Sequence, residues 1–275
     1  MSTESNSNLG LATAGAFGFA VGLAAGAFAY KRKPSIHNQP KYTPGQKPEL
    51  PSPTFGKAKE VFKPTMLASA YNLMISSVTP RPIALVSSRS KPEDGSPAVD
   101  NVAPFSYFGA LGHDPPMLAI GFCRKGRDKV MKDSLVNVLA QKEFCVNIIS
   151  EWYLDAANHS CGMFPADVDE FDVSGLSKVN DCEEVNAPRV KEAAVTYECK
   201  LEHCYPIKNE KTGDPTTEIV LARVVRIHVD HDVLVDGFDP AKPQVDTNKL
   251  KPVGRLGGNI YSMLGDQIDI PRPQV

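Results

Sequence analysis

From Arg124 to Asn137 the chain reads RKGRDKVMKDSLVN, a run of bases leading into Lys132, Asp133 and Ser134 at the start of a segment with helical spacing. A helix N-terminus offers free N–H groups and the positive end of a dipole, and a nearby ammonium and hydroxyl make it suited to a phosphate. Asp133 has an opposed use open to it, because its carboxylate can cap those same amides and repel an anion. A second stretch, NVAPFSYFGALGHDPPM from Asn101 to Met117, is too apolar for an ordinary loop and too rich in Pro, Gly and small polar residues for a regular strand or helix. Backbone held open in this way can present N–H groups to a ligand, with Asn101 and Ser106 as additional donors. It can equally be a loop that closes a barrel. If both stretches face one pocket, the ligand is a phosphorylated ring.

Other chemistries lack their residues. No GxSxG, HExxH, P-loop or GxGxxG pattern occurs. Cys123, Cys145, Cys161, Cys182, Cys199 and Cys204 form no CxxC and have no histidine at zinc spacing. Neither a metal site nor a disulfide framework is expected, and the compartment is read as reducing. His228 and His231, in HVDH, are placed at the solvated end of a strand. Phe171, in DVDEFDVSGL, is read as a pocket cover or a surface anchor, among a solvated acidic face of Asp167, Asp169, Glu170 and Asp172. Trp152 and Tyr153 are read as core or dimer contacts. A formal net charge of -2, from 30 Lys and Arg against 32 Asp and Glu, leaves no basic face for nucleic acid.

The elements that must position these residues are mostly strands. Pro82–Ser88, Met117–Cys123, Phe144–Ser150, Ala193–Leu201 and Glu218–Val229 are β-branched or alternating runs of strand length. Turn formers from Asn209 to Pro215 join the last two as a hairpin. Helices are expected at Ser134–Lys142 and, after an N-cap at Ser150, at Glu151–His159. Strands that do not alternate with helices favour a mainly β fold, an antiparallel barrel with a few helices.

The barrel is expected over residues 65–275, after a Pro-rich linker at 34–64. Residues 1–33 form a tail that contains the uncharged run Leu9 to Tyr30, followed at once by Lys31, Arg32 and Lys33. That run is long enough for a single transmembrane helix, with Gly18, Gly22 and Gly26 on a small-residue face. The flanking bases put the folded domain on the cytosolic side, of the mitochondrial outer membrane or the endoplasmic reticulum. A Gly/Ala-rich tail on a soluble cytoplasmic protein is the alternative.

RPIALVSS (Arg81–Ser88), NVAPFSYF (Asn101–Phe108), DPP (Asp114–Pro116), KDSLVN (Lys132–Asn137), EFCVNI (Glu143–Ile148) and PVGRLGG (Pro252–Gly258) occur in this order. Together they resemble the flavin reductase-like, FMN-binding split-barrel family, in its flavoprotein oxygenase-like branch. The resemblance implies a Greek-key split barrel, a homodimer, and FMN near the subunit interface. It implies that Arg81, Ser87 and Ser88 lie against the flavin and that Asn101, Val102, Ala103, Pro104, Phe105 and Ser106 embrace the ring and ribityl chain. Lys132 and Ser134 would reach the phosphate, from a segment that also carries Asp133 and Asn137, and Arg255 would meet the flavin or nicotinamide. The implied activity is transfer of hydride from NADH or NADPH to FMN, and on to oxygen or a partner. A non-catalytic flavin-binding module and a membrane-anchored interaction module are the alternatives.

Overall fold

In the computed structural model the described residues are 59–273 apart from Arg127, together with Gly45, Lys47, Pro51, Ser52 and Phe55. Leu9 to Tyr30 lies outside them; among the described residues no helix is long and apolar enough to cross a membrane. The elements below belong to a unit spanning Lys41–Gly265. Residues 266–273, part of a second unit, hold no helix or strand.

The order is α1 (Tyr71–Ser77), β1 (Ala84–Arg89), β2 (Asp100–Phe105), β3 (Phe108–His113), β4 (Pro116–Cys123), α2 (Asp133–Gln141), β5 (Glu143–Ile148), α3 (Leu154–His159) and α4 (Glu170–Ser174). There follow β6 (Lys178–Val179), β7 (Arg189–Val190), β8 (Val195–Lys208), β9 (Pro215–Val229), α5 (Thr247–Leu250), β10 (Gly254–Arg255) and β11 (Tyr261–Ser262). The main sheet runs β2-β1-β5-β8-β9-β4-β3, with antiparallel neighbours throughout.

Its two edge strands, β2 and β3, are consecutive in sequence and separated only by Ser106 and Tyr107. The Gly121 N–H on β4 donates to the Tyr107 carbonyl at 2.7 Å, which carries the β3–β4 ladder back to this two-residue link. Phe105 of β2 packs on Phe122 of β4 with ring centroids 4.3 Å apart, so the sheet closes on itself as a split barrel. Gly121 permits that approach, because a Cβ there would stand 3.0 Å from the Cβ of Tyr107.

This corrects the expectation that Asn101 to Met117 is irregular. The stretch is β2, β3 and the start of β4 with a two-residue link before and after β3, and its Pro and Gly survive because β2 and β3 are edges. An edge tolerates a residue without an N–H, as at Pro104, and β3 absorbs a register shift between Ala110 and Gly112.

Alternation fixes what each face buries. Ala84 and Val86 on β1 point inward with Phe105, Phe122, Phe144, Val146 and Val220, and α2 caps them with Leu135 and Val138. Leu85 and Val102 face the other way, under Tyr153, Ala157 and Phe171. Lys142, at φ 63°, ends α2 in the left-handed conformation.

The second expected helix is broken: Glu151–Tyr153 is a 3-10 turn and only Leu154–His159 is α-helical. Ser150 does not cap it with its side chain; its backbone is instead bridged to Pro252. The β8–β9 hairpin turns where expected, with the Asn209 side chain accepting from the N–H groups of Lys211 and Thr212.

A strap, residues 178–190, crosses the outer face of β1, β5 and β8. Ser87 donates to the Pro188 carbonyl at 2.6 Å, and the Val190 N–H donates to the Asn147 side chain at 3.0 Å. The buried Glu198 carboxylate accepts from the N–H groups of Glu184 and Val185.

Candidate functional site

Two adjoining cavities open where β2 meets α1, α2 and the β10–β11 hairpin, and they share Pro104, Lys132 and Cys161. The first, about 340 Å³, has Tyr71 and Ile75 of α1 on one side, Arg255 and Tyr261 on another, and Arg81, Ser106 and Tyr107 in its wall. A mixed aromatic, aliphatic and cationic lining of this size suits a planar ring with polar edges. The second, about 250 Å³, is polar: Asn101, Lys125, Asp133, Ser134, Ser160 and Glu170 line it.

Lys132 stands at the junction. It precedes α2, its Nζ lies 4.9 Å from the centroid of the Phe105 ring, and it makes no ion pair among the described residues. Burial lowers its pKa below the usual lysine value, and Lys125 acts in the same direction. A half-buried ammonium lacking a carboxylate partner is poised for an anionic ligand.

Asp133 does not cap the helix amides. Its carboxylate pairs with Lys125 at 2.7 Å, which leaves the first N–H groups of α2 free of an acidic side chain. Ser134 donates to Oδ1 of Asn101, and Nδ2 of Asn101 donates to Oε1 of Glu170 at 2.8 Å. The other Glu170 oxygen is buried without a partner. Burial raises the pKa of this carboxyl to about 7 against the opposing pull of the backbone N–H groups of Glu170 and Val102, with smaller upward contributions from Asp133 and Asp169.

Arg81 is in the first cavity's wall, yet most of its guanidinium faces the protein. Its Nη groups donate to the carbonyls of Ile75, Val78 and Leu256, and its Nε is buried without a partner. Arg255 lies over the ring of Tyr261 at 4.4 Å and donates to the Gly258 carbonyl.

The structure brings Arg81, Asn101, Ala103, Pro104, Ser106, Lys132, Asp133, Ser134 and Arg255 to these cavities. It does not bring Ser87, Ser88, Val102, Phe105 or Asn137 into their walls. Neighbouring strand residues point to opposite faces, so Ser87 holds the strap while Ser88 accepts from Asn137 under α2. Val102 and Phe105 are core residues on opposite sides of β2.

Three further expectations change. Phe171 is wholly buried, neither a cover nor a surface anchor, because α4 packs it into the core. Glu170 leaves the solvated acidic group for the cavity wall, and Asp169 caps α4 and pairs with Lys178. His228 is not at a solvated end: its ring contacts the Glu198 carboxylate at 2.6 Å, and with Cys182 the three lie within 4.8 Å of one another. The same carboxylate also anchors the strap amides. Cys145 and Cys182, distant in sequence, have sulfurs 3.6 Å apart, and all six cysteines are free.

Sequence reasoning missed Tyr71, Ile75, Cys161 and Tyr261 because they reach the first cavity from segments with no motif of their own. Tyr107, in the link between β2 and β3, also lines it, and nothing in its type or spacing marks it as cavity wall.

A barrel whose two edge strands are consecutive in sequence, with Lys132 standing between two cavities at the seam, defines a split-barrel protein. Residues 75–240 match the flavin reductase like domain family, and the chain belongs to that family. Nitrilotriacetate monooxygenase component B from Bacillus cereus is 31% identical, with a TM-score of 0.69 over 78% of this chain and 99% of that one. The Pseudomonas fluorescens 2-nitrobenzoate 2-nitroreductase is 26% identical, with a TM-score of 0.63 over 78% and 96%. A split-barrel-domain protein from Shewanella frigidimarina, 20% identical, shares the fold with a TM-score of 0.59 over 74% and 91%.

Proposed function

We propose that this chain is an FMN-binding oxidoreductase, an NAD(P)H-dependent flavin reductase that works as a homodimer. Lys132 carries the proposal: a half-buried ammonium with no ion-pair partner among the described residues, set between a ring-sized cavity and a polar one. FMN has a ring for the first cavity and a phosphate for the second. The orphaned Nε–H of Arg81 and the start of α2, which no side chain caps, are further donors that a flavin could satisfy.

When bound, FMN supplies two-electron chemistry, taking hydride from NADH or NADPH and giving electrons to oxygen or a second protein. The chain's residues hold and tune it. Lys132 and the α2 amides would fix the phosphate, while Pro104 and Ser106 would bring the β2 backbone close to the ring. Arg81 and Arg255 add positive potential around the first cavity, which favours a ring that gains negative charge on reduction. Family membership and the relatedness to a monooxygenase component and a nitroreductase support an enzymatic role.

The test is the visible absorption of the full chain with one equivalent of FMN, before and after anaerobic NADH or NADPH. Bound flavin that bleaches supports a reductase. Bound flavin that stays yellow supports a carrier, and a chain that leaves FMN free in solution removes the proposal.

A further inference from the structure

The polar cavity contains a chain of hydrogen bonds with a fixed direction. The Ser134 hydroxyl donates to Oδ1 of Asn101, and Nδ2 of Asn101 donates to Oε1 of Glu170. Ser134 and Asn101 are 2% and 6% exposed, and Glu170 is 5% exposed with Oε2 unpartnered, so water does not randomise the chain. In this arrangement the only Ser134 hydroxyl hydrogen is committed to Asn101, and Ser134 can offer a ligand only lone pairs. The site expected to donate to a phosphate is therefore set against one, and a carboxylate stands beside it.

The side chains can satisfy one another in the opposite sense. A neutral Glu170 donates, so Asn101 can turn its amide over, accept from Glu170 through Oδ1 and donate to Ser134 through Nδ2. That arrangement frees the Ser134 hydrogen for the cavity. We propose that Glu170, Asn101 and Ser134 form a reversible relay, in which a proton taken from solvent by the Glu170 carboxylate reverses the chain and turns Ser134 into a donor. A phosphate bound there would be accompanied by uptake of one proton. This rests on the flavin-site proposal, since the phosphate is that of FMN.

The charged surroundings favour a proton at this position. Asp133 on α2 and Asp169 at the head of α4 both raise the Glu170 carboxyl. The cations nearby are largely committed: Lys125 to Asp133, Lys178 to Asp169 and Asp100, and Arg89 to Asp100. Lys132 has no such partner and lines both cavities, while Cys161 is a titratable thiol on their shared wall. With Glu170 protonating at about pH 7, a phosphate that requires the neutral form loses roughly tenfold in affinity between pH 6 and pH 8. The ligand's own second ionisation, near pH 6, acts oppositely by making it more anionic as pH rises.

The experiment measures Kd for FMN and for riboflavin, which lacks the phosphate, at pH 6 and pH 8 by flavin fluorescence. The full chain, Glu170→Gln and Ser134→Ala are compared. The expected results are a roughly fivefold to tenfold weaker FMN affinity at pH 8 in the parent, no such slope for riboflavin, and no loss at pH 8 in Glu170→Gln, whose FMN affinity stays at the parent's pH 6 level or rises by up to about twofold as the phosphate ionises. Ser134→Ala should weaken FMN at pH 6 and change nothing at pH 8, a pattern that simple carboxylate repulsion does not give. An unchanged slope in Glu170→Gln, or an equal cost of Ser134→Ala at both pH values, overturns the relay. If no variant binds either flavin, the flavin site fails instead, and thermal-shift titration with inorganic phosphate reads the relay separately. There, the same pH and Glu170→Gln pattern is expected, and its absence overturns it.

Discussion

The residues that matter most in the proposed site are those whose charge is left incompletely matched by the fold. Lys132→Ala should weaken FMN by about 1.5–3 kcal/mol, roughly tenfold to a hundredfold, as one charge-assisted phosphate contact is lost. Riboflavin affinity should hardly move, and parallel titrations of both flavins would show a ring contact instead if it fell equally. Glu170 opposes folding when ionised. Its folded pKa is raised from the usual 4.5 to about 7, so its contribution is fully present below about pH 4.5 and is lost as pH rises through 7. Glu170→Gln should therefore stabilise the protein at pH 8 by about 2 kcal/mol, after discounting for partial solvation, and leave it unchanged at pH 4.5. Urea unfolding at the two pH values checks the sign; equal stability at pH 8 would mean that the buried carboxylate carries no cost. Lys132 and Ser134 were legible because a base and a hydroxyl at a helix start have a recognisable use. Glu170 was not, because four acidic residues in six positions look like a solvated face until the fold turns one inward.

At the scale of elements, the first cavity depends on α1 and the segment after β10 staying against β1. Arg81 joins them, with Nη hydrogen bonds to Ile75 and Val78 at the end of α1 and to Leu256 beyond β10. Its backbone also exchanges hydrogen bonds with Arg255, at 3.0 and 2.8 Å. Arg81→Ala should cost about 3 kcal/mol by leaving buried carbonyls unpaired. Arg81→Lys should recover little, because one ammonium cannot match a planar fork spread over three carbonyls. Denaturant unfolding reads the loss, and faster amide exchange confined to α1 and residues 254–258 would identify the clamp. If both variants keep parental stability, Arg81 is free to act mainly on the ligand. The strands themselves were legible from their β-branched runs, and α2 from the spacing of Leu135, Val138 and Leu139. What escaped was pairing between distant segments, such as Arg81 with Arg255 and Ser87 with Pro188. Local pattern determines which face a residue takes but not what covers it.

For the whole molecule, the open question is what covers the outer face of β9. Val220, Ala222 and Val224 point into the barrel and are buried, whereas Ile219 and Leu221 point outward and are half-exposed. Their cross-strand neighbours extend the apolar surface: Tyr205 lies opposite Ile219 on β8, and Ala119 opposite Leu221 on β4. Tyr205 is 52% exposed, and beyond Arg223, which pairs with Glu202, β9 exposes Val225 and Ile227 as well. An apolar sheet face of this kind is characteristic of an interaction surface, and the proposed homodimer gives it an occupant, a second copy of the same face. Leu221→Glu should then convert a dimer into a monomer, since a two-fold interface would bury an unpaired carboxylate from each copy. Because Leu221 points away from the core, the variant should still unfold cooperatively at a denaturant midpoint close to that of the parent. Sedimentation velocity of both proteins tests this: a parent at twice the monomer mass and a monomeric variant are expected. A parent that sediments as a monomer at high micromolar concentration would leave the face to another partner. A dimer that survives Leu221→Glu would place the two-fold contact elsewhere on the barrel.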